Sequence, residues 1–342
     1  MTGVTLGEGG TPLIELPRLA ARWGLGGLSA KLENVNPTGS YKDRIAAATM
    51  TVALRDGRRG WIATSSGNGG AAMSAYGARA GLPGVLCVPT DAPAEKLATI
   101  RPYGVLMIPM ATVDVAVMAE LSDIAEREGL MLAITTHAHN PEGMRGADAI
   151  GAELAAAGGF TQVYVPSGGG GLVTATARGL RAGGSAAAVV VCQPAGCAPI
   201  ARYVQGHIDS PTVTECRTAV SGLQLPQPPD GAVAAAAVRA SSGWGVWVQD
   251  ETTWRVQDEL AAAEGVFVEP ASALAMAAVA ADAAAGRLGP GDHPVVLLTG
   301  SGMKDLRRFA FPVDPATIAG AADLSRRVAG HLAGAAERRA RR

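Results

Sequence analysis

Gln162-Val163-Tyr164-Val165-Pro166-Ser167-Gly168-Gly169-Gly170-Gly171-Leu172 reads as a strand that runs into four consecutive glycines and leaves them as a helix. Backbone without side chains wraps closely around a small anion, and the N–H groups at the start of the next helix converge on its oxygens. The run therefore predicts a phosphate cradle at Gly168, Gly169, Gly170, Gly171 and Leu172. A flexible linker does not stand between a strand and a helix. No Lys-Ser/Thr pair follows the glycines, so a nucleoside-triphosphate loop is excluded. Working outward, strands are predicted at Trp61–Thr64, Val85–Val88, Val105–Ile108, Met131–Thr135, Ala188–Cys192 and Val295–Thr299. Helices are predicted at Gly70–Ala80, Pro93–Tyr103, Val113–Glu128 and Glu142–Ala157. Such alternation specifies an α/β fold with parallel-rich sheets covered on both faces, whose ligands bind at the carboxyl ends of strands. Residues 210–242, with Pro226, Pro228, Pro229 and Gly231, read as an irregular excursion.

The 342 residues suffice for about two domains. Hydrophobic residues make up 48% of the chain but aromatics only 4%, so alanine-rich helices must approach closely to build the core. A formal net charge of −1 leaves no footprint for nucleic acid or an anionic membrane. The basic cluster from Arg326, ending Glu337-Arg338-Arg339-Ala340-Arg341-Arg342, reads as a terminal helix or frayed tail over 321–342. No secretion signal and no membrane span is expected, which points to the cytoplasm. Cys87, Cys192, Cys197 and Cys216 include no C-x-x-C pair and are expected to be reduced structural thiols. His137 and His139 stand two apart without an obvious third ligand, and no metal is assigned.

Three further segments carry chemistry. In Asn36-Pro37-Thr38-Gly39-Ser40-Tyr41-Lys42-Asp43-Arg44 a tight turn precedes a helix-forming run, so Lys42 projects from constrained backbone. Strand Trp61–Thr64 enters Ser65-Ser66-Gly67-Asn68-Gly69-Gly70, a helix start suited to a carboxylate or phosphate. Read differently, Gly67-Asn68-Gly69-Gly70-Ala71-Ala72 satisfies a dinucleotide fingerprint, with Asp91 placed as a ribose-binding acid. Thr299 offers a neutral hydroxyl at a strand end.

Lysine, cradle, carboxylate site and hydroxyl, in this order and wording, resemble the fold-type II pyridoxal-phosphate enzymes, threonine synthase most closely. That superfamily also holds tryptophan synthase β and cysteine synthase. The likeness runs from Gly7-Glu8-Gly9-Gly10-Thr11-Pro12-Leu13 through Asn140-Pro141 and Glu264–Ala273 to Thr299–Asp305. It implies two doubly wound domains with the cofactor in the cleft between them: a large domain of 1–45 and 146–320, and a small domain of 46–145. It further implies that Lys42 forms the Schiff base and moves protons on the substrate, and that Asn68 meets the cofactor's phenolic oxygen. Gly168 to Leu172 would hold its phosphate, and Thr299 would face its pyridine nitrogen. Ser65, Ser66, Gly67 and Asn68 would take the substrate carboxylate. Lys96 matches a family lysine near the substrate. A homodimer acting on a small amino acid is the implied assembly and partner.

The resemblance breaks at the substrate phosphate. Where threonine synthases read roughly Asn-Ser-x-Asn-Pro-x-Arg, this chain has His137-Ala138-His139-Asn140-Pro141-Glu142-Gly143, and a family asparagine is replaced by Gly169. His137 and Arg145 are the residues left to compensate. Each lost charge-assisted hydrogen bond is worth about 1.5–3 kcal/mol, so phosphohomoserine binding should be weak. The tetraglycine loop itself looks like that of serine and threonine ammonia-lyases. An altered elimination or replacement catalyst, including an O-phosphoserine-type β-replacement synthase, is therefore expected. A dehydrogenase and a catalytically idle binding protein stay open as different classes.

Overall fold

The structure, a computed structural model, describes residues 3–90, 92, 94–309 and 320–340. Among the described residues ten strands build two sheets. Strands β1 (Leu13–Glu15), β2 (Ser29–Lys31), β7 (Gln162–Pro166), β8 (Ala188–Pro194), β9 (Gly245–Val248) and β10 (Pro294–Leu297) form a six-stranded sheet in the order β1-β2-β10-β7-β8-β9. Strands β3 (Gly60–Thr64), β4 (Gly84–Pro89), β5 (Leu106–Met110) and β6 (Leu130–Leu132) form a four-stranded sheet in the order β5-β4-β3-β6. Every pairing is parallel except β1 with β2.

Parallel strands need both faces covered, and the two-residue period of the large sheet shows how that is done. Val163, Val165, Val189, Val191, Val295 and Leu297 join one core with residues of the helices at 42–55, 148–157, 171–182 and 231–240. Their neighbours Tyr164, Val190, Cys192, Val296 and Leu298 face the opposite core, with residues of the helices at 250–264 and 270–284. The small sheet alternates in the same way, Trp61 and Ala63 against Ile62. Both sheets are thus doubly wound.

Four expectations change. The excursion is irregular only to about residue 230, because Gly231–Ala240 is a helix whose alanines pack on the large sheet's cover. The stretch predicted as one helix from Pro93 splits into Ala94–Ala98 and the short turn Arg101–Tyr103, where Pro102 cannot continue the hydrogen-bond ladder. Glu142–Ala157 is likewise broken into Pro141–Met144, Arg145–Ala147 and Asp148–Ala157. Strand β6 ends at Leu132, which leaves Thr135 in a loop. Asp91, Pro93, Arg341, Arg342 and residues 310–319 lie outside the described residues. Residues 1–305 form one compact unit and 306–342 another, and in the latter the basic segment is the helix Ala321–Ala340. Among the described residues no helix is long and apolar enough to cross a membrane, and the four cysteines are free.

Candidate active site

Lys42 is the first residue of the helix Lys42–Arg55. The turn before it closes through a 2.7 Å bond from the Gly39 N–H to the Asn36 carbonyl, with Gly39 at φ +80°, where glycine is unstrained. Two backbone bonds pin this turn to the segment after β10. The Tyr41 N–H donates to the Thr299 carbonyl at 3.0 Å, and the Ser301 N–H donates to the Gly39 carbonyl at 2.9 Å. Asp43 tightens it further by accepting from the Thr38 N–H at 2.6 Å and from the Thr38 hydroxyl. The lysine amine therefore leaves from fixed backbone. It donates to the Thr135 hydroxyl at 2.9 Å and lies 4.9 Å from the centre of the Tyr41 ring.

That amine opens on a cavity of about 490 Å³. Lys42, Ser65, Ser66, Gly67, Asn68, Lys96, the run Gly168 to Leu172 and Thr299 all contribute to its lining, although they come from both sheets. At one end lies the glycine cradle, leading into the helix Gly171–Ala182. Gly170 sits at φ +93°, and a Cβ there would stand 2.8 Å from the Asp230 carbonyl oxygen. At Gly168 a Cβ would stand 2.7 Å from the Gly222 carbonyl oxygen. Just ahead of the cradle the Ser167 hydroxyl is buried and has no hydrogen-bond partner among the described residues. The Thr299 hydroxyl is 3.0 Å from that of Ser272. An anion cradle with an unsatisfied hydroxyl, a fixed amine and a neutral hydroxyl fit a flat, phosphorylated aldehyde such as pyridoxal phosphate.

His137 and Arg145 are not part of this lining. The His137 ring is held between Asp230, at 3.1 Å, and Arg178, at 3.2 Å, and its backbone N–H also reaches Asp230. The Arg145 side chain is 71% exposed and faces Asp148. Each is paired with a carboxylate instead, His137 with Asp230 and Arg145 with Asp148.

Thr135, Glu269 and Lys304 are among the lining residues not singled out from sequence. Thr135 was hidden in an overlong strand. Glu269 accepts from the Asn68 amide nitrogen at 2.9 and 3.1 Å, and Lys304 donates to the Asn68 amide oxygen at 2.8 Å. Both stand inside segments read only as family wording, Glu264–Ala273 and Thr299–Asp305.

Burial sets the local protonation chemistry. It pushes the Asp43 carboxyl up to about 6, against the Thr38 hydrogen bonds that favour its charged form. It raises Glu269, opposed by the Asn68 bond and the Lys304 charge, and it lowers Lys304, opposed by Glu269 and Asp43. A raised acid binds its proton more tightly folded than unfolded, so the stability it contributes is present at low pH and is lost as pH rises through 6. For Asp43 the loss between pH 5 and 7 is about 1 kcal/mol. Urea unfolding at the two pH values should show that loss in the parent and its absence in Asp43→Asn. Equal slopes in both proteins would contradict it.

The chain is similar to known proteins in sequence and in fold. Residues 4–300 match the model of a family described as pyridoxal-phosphate dependent enzyme. Threonine synthase of Methanosarcina acetivorans is 31% identical over 313 residues, covering 88% of this chain and 76% of that protein. Threonine synthase of Halalkalibacterium halodurans is 32% identical over 308 residues, covering 88% and 84%. In three dimensions the chain is similar to maize serine racemase, with a TM-score of 0.74 at 20% identity over 95% of this chain and 93% of that one.

Proposed function

This chain belongs to the pyridoxal-phosphate-dependent enzyme family, and within it we propose a threonine-synthase-like lyase or synthase that eliminates or replaces a group at the β or γ carbon of an amino acid other than phosphohomoserine. Bound pyridoxal phosphate supplies an electron sink for the substrate's α carbon. The chain's own residues divide the remaining work. The amides of Gly168 to Leu172 and the Ser167 hydroxyl bind the phosphate. Lys42 would hold the cofactor's aldehyde carbon until the substrate's own amine takes its place there, and the amine so freed would carry protons to and from substrate carbons. Ser65, Ser66 and the N–H groups opening the helix Asn68–Ala80 take the substrate carboxylate. Thr299 would meet the pyridine nitrogen with a hydroxyl that cannot protonate it as a carboxylic acid would, which would favour elimination and replacement over transamination.

Position 143 carries the choice of substrate. A Cβ on Gly143 would collide with the Thr49 hydroxyl and the Asn140 amide, both buried, so no arginine fits where threonine synthases place one. Of the lysines in the lining, Lys42 serves the cofactor and Lys304 is bonded to Asn68. Lys96, bonded to the Ser221 hydroxyl, is the cation left to meet an anionic substituent. Two missing charge-assisted bonds correspond to roughly 100-fold or more in affinity.

Steady-state assays with phosphohomoserine, O-phosphoserine, serine and threonine test this reading. The expected result is a kcat/KM for phosphohomoserine at least about 100-fold below that of the best alternative. Efficient conversion of phosphohomoserine to threonine, with the others inert, would identify an authentic threonine synthase instead. The tetraglycine loop favours a second reading within the family, a serine or threonine ammonia-lyase, which the same assay recognises by release of ammonia and a keto acid.

A further inference from the structure

The geometry points to Lys304 as the positioning residue that dictates which way round the Asn68 amide stands, and therefore which of its atoms is offered to the cofactor ring. The inference rests on the family assignment and on Asn68 as a ring contact.

An asparagine amide is nearly symmetric in shape, and its orientation is decided by the donors and acceptors around it. Lys304 is a donor only. It can take nothing but the amide oxygen, and its Nζ lies 2.8 Å from Oδ1. An ionised Glu269 is an acceptor only, and its oxygens lie 2.9 and 3.1 Å from Nδ2. Opposite requirements at the two ends leave one orientation, with the amide's hydrogens turned away from Lys304. Nδ2 carries two hydrogens, so one shared between the two Glu269 oxygens leaves the other as a donor for a ring oxygen. Flipping the amide would set Oδ1 against a carboxylate and Nδ2 against an ammonium, losing both bonds at once.

Lys304 is itself placed by the segment that anchors Lys42. It ends the short turn Gly302–Lys304, which begins beside the Ser301–Gly39 backbone bond. Its stem runs past Gly39, where a Cβ would meet Cδ at 3.5 Å and Cε at 3.8 Å. One side chain thus touches both the turn that aims Lys42 and the amide of Asn68. The charged groups around it are Asp43 and Glu269, which support its ammonium form, and Lys96, which opposes it. Asp305 in turn acts on Glu269.

The chain has four asparagines, Asn34, Asn36, Asn68 and Asn140, so selective ¹⁵N-asparagine labelling gives a short side-chain amide spectrum, assigned for Asn68 by its absence in Asn68→Ser. In cofactor-free protein, Lys304→Gln can offer its NH₂ to Oδ1 or its carbonyl to the Nδ2 of a flipped amide, and should let the amide exchange between orientations. The Asn68 NH₂ pair should then shift and broaden while the other three stay put, and Lys304→Arg should restore it. In cofactor-loaded protein, Lys304→Gln and Lys304→Met should displace the absorption band or move its pH midpoint by about one unit. Their kcat should fall at least tenfold with KM within threefold, and Lys304→Arg should recover most of the loss. If the Lys304→Gln amide pair, absorption band and pH midpoint all match the parent, the inference fails, even where melting temperature drops. Failure of the parent to bind pyridoxal phosphate would instead overturn the functional reading, while the amide result in cofactor-free protein would still stand on its own.

Discussion

Lys42→Ala is expected to erase both turnover and covalent cofactor attachment while the protein stays folded. The side chain is not a packing element. Its terminal bond is to the Thr135 hydroxyl, and the turn that carries it is held by backbone bonds with Thr299 and Ser301 and by Asp43, none of which uses the lysine side chain. Removing the amine takes away the nucleophile for the cofactor aldehyde and the proton carrier for substrate carbons together. Acid–base loss alone is worth about 10²–10⁴ in rate, and the loss of covalent attachment adds to it, so kcat should fall to background. Borohydride reduction followed by peptide mapping checks the attachment directly. The parent, loaded with pyridoxal phosphate, should carry a reduced adduct on the peptide containing residue 42, and the variant should carry none. An adduct at any other lysine, or retained turnover in Lys42→Ala, would remove the basis of the assignment.

Gly170→Ala should strip the enzyme of cofactor by a different route. At φ +93° an alanine is strained by about 1–2 kcal/mol. Its methyl would also stand 2.8 Å from the Asp230 carbonyl oxygen and 3.0 Å from the Ala234 Cβ, neither on a flexible side chain. The loop has little room to retreat, because the Asp230 N–H is bonded to the Gly169 carbonyl at 2.9 Å. The cradle must therefore move, and its N–H groups lose their common target. A hundredfold or greater fall in cofactor affinity is expected, read by titrating cofactor-free protein with pyridoxal phosphate. Gly169→Ala is the control. Its nearest neighbour would be Pro229 Cδ at 3.5 Å, an ordinary contact, so its affinity should change less than tenfold. Equal losses in the two variants would show that glycine content, not the conformation at residue 170, matters.

Which parts of this arrangement were legible before folding follows from how far each signal reaches along the chain. Seven strands and the helices between them were visible because short apolar runs punctuated by glycine are local signals. Strands β1, β2 and β9 went unread; β6 and β10 are as short but lie in or beside the longer apolar runs Met131–Ile134 and Val295–Leu298. Helix Gly231–Ala240 was masked by the prolines immediately before it. The two glycine-bearing helix starts and the turn before Lys42 were readable because each is a contiguous backbone device whose chemistry needs no distant partner.

The order of the motifs by itself determined that this is an α/β chain with a lysine after a tight turn, a tetraglycine run and a second glycine-bearing helix start. Backbone conformation is encoded within a few residues, so such features survive without knowledge of the rest. Tertiary structure alone decided who meets whom. Asn68 finds Glu269 at a separation of 201 residues and Lys304 at 236, and Lys42 finds Thr135 at 93. Tertiary packing brings those partners within hydrogen-bond reach and sets His137 against Asp230, whereas Arg145 pairs with Asp148 only three residues on. Hydrogen bonds and charges act over a few ångströms of space and are indifferent to distance along the chain. Residue type therefore announced what each group can do, and packing chose the partner it does it with.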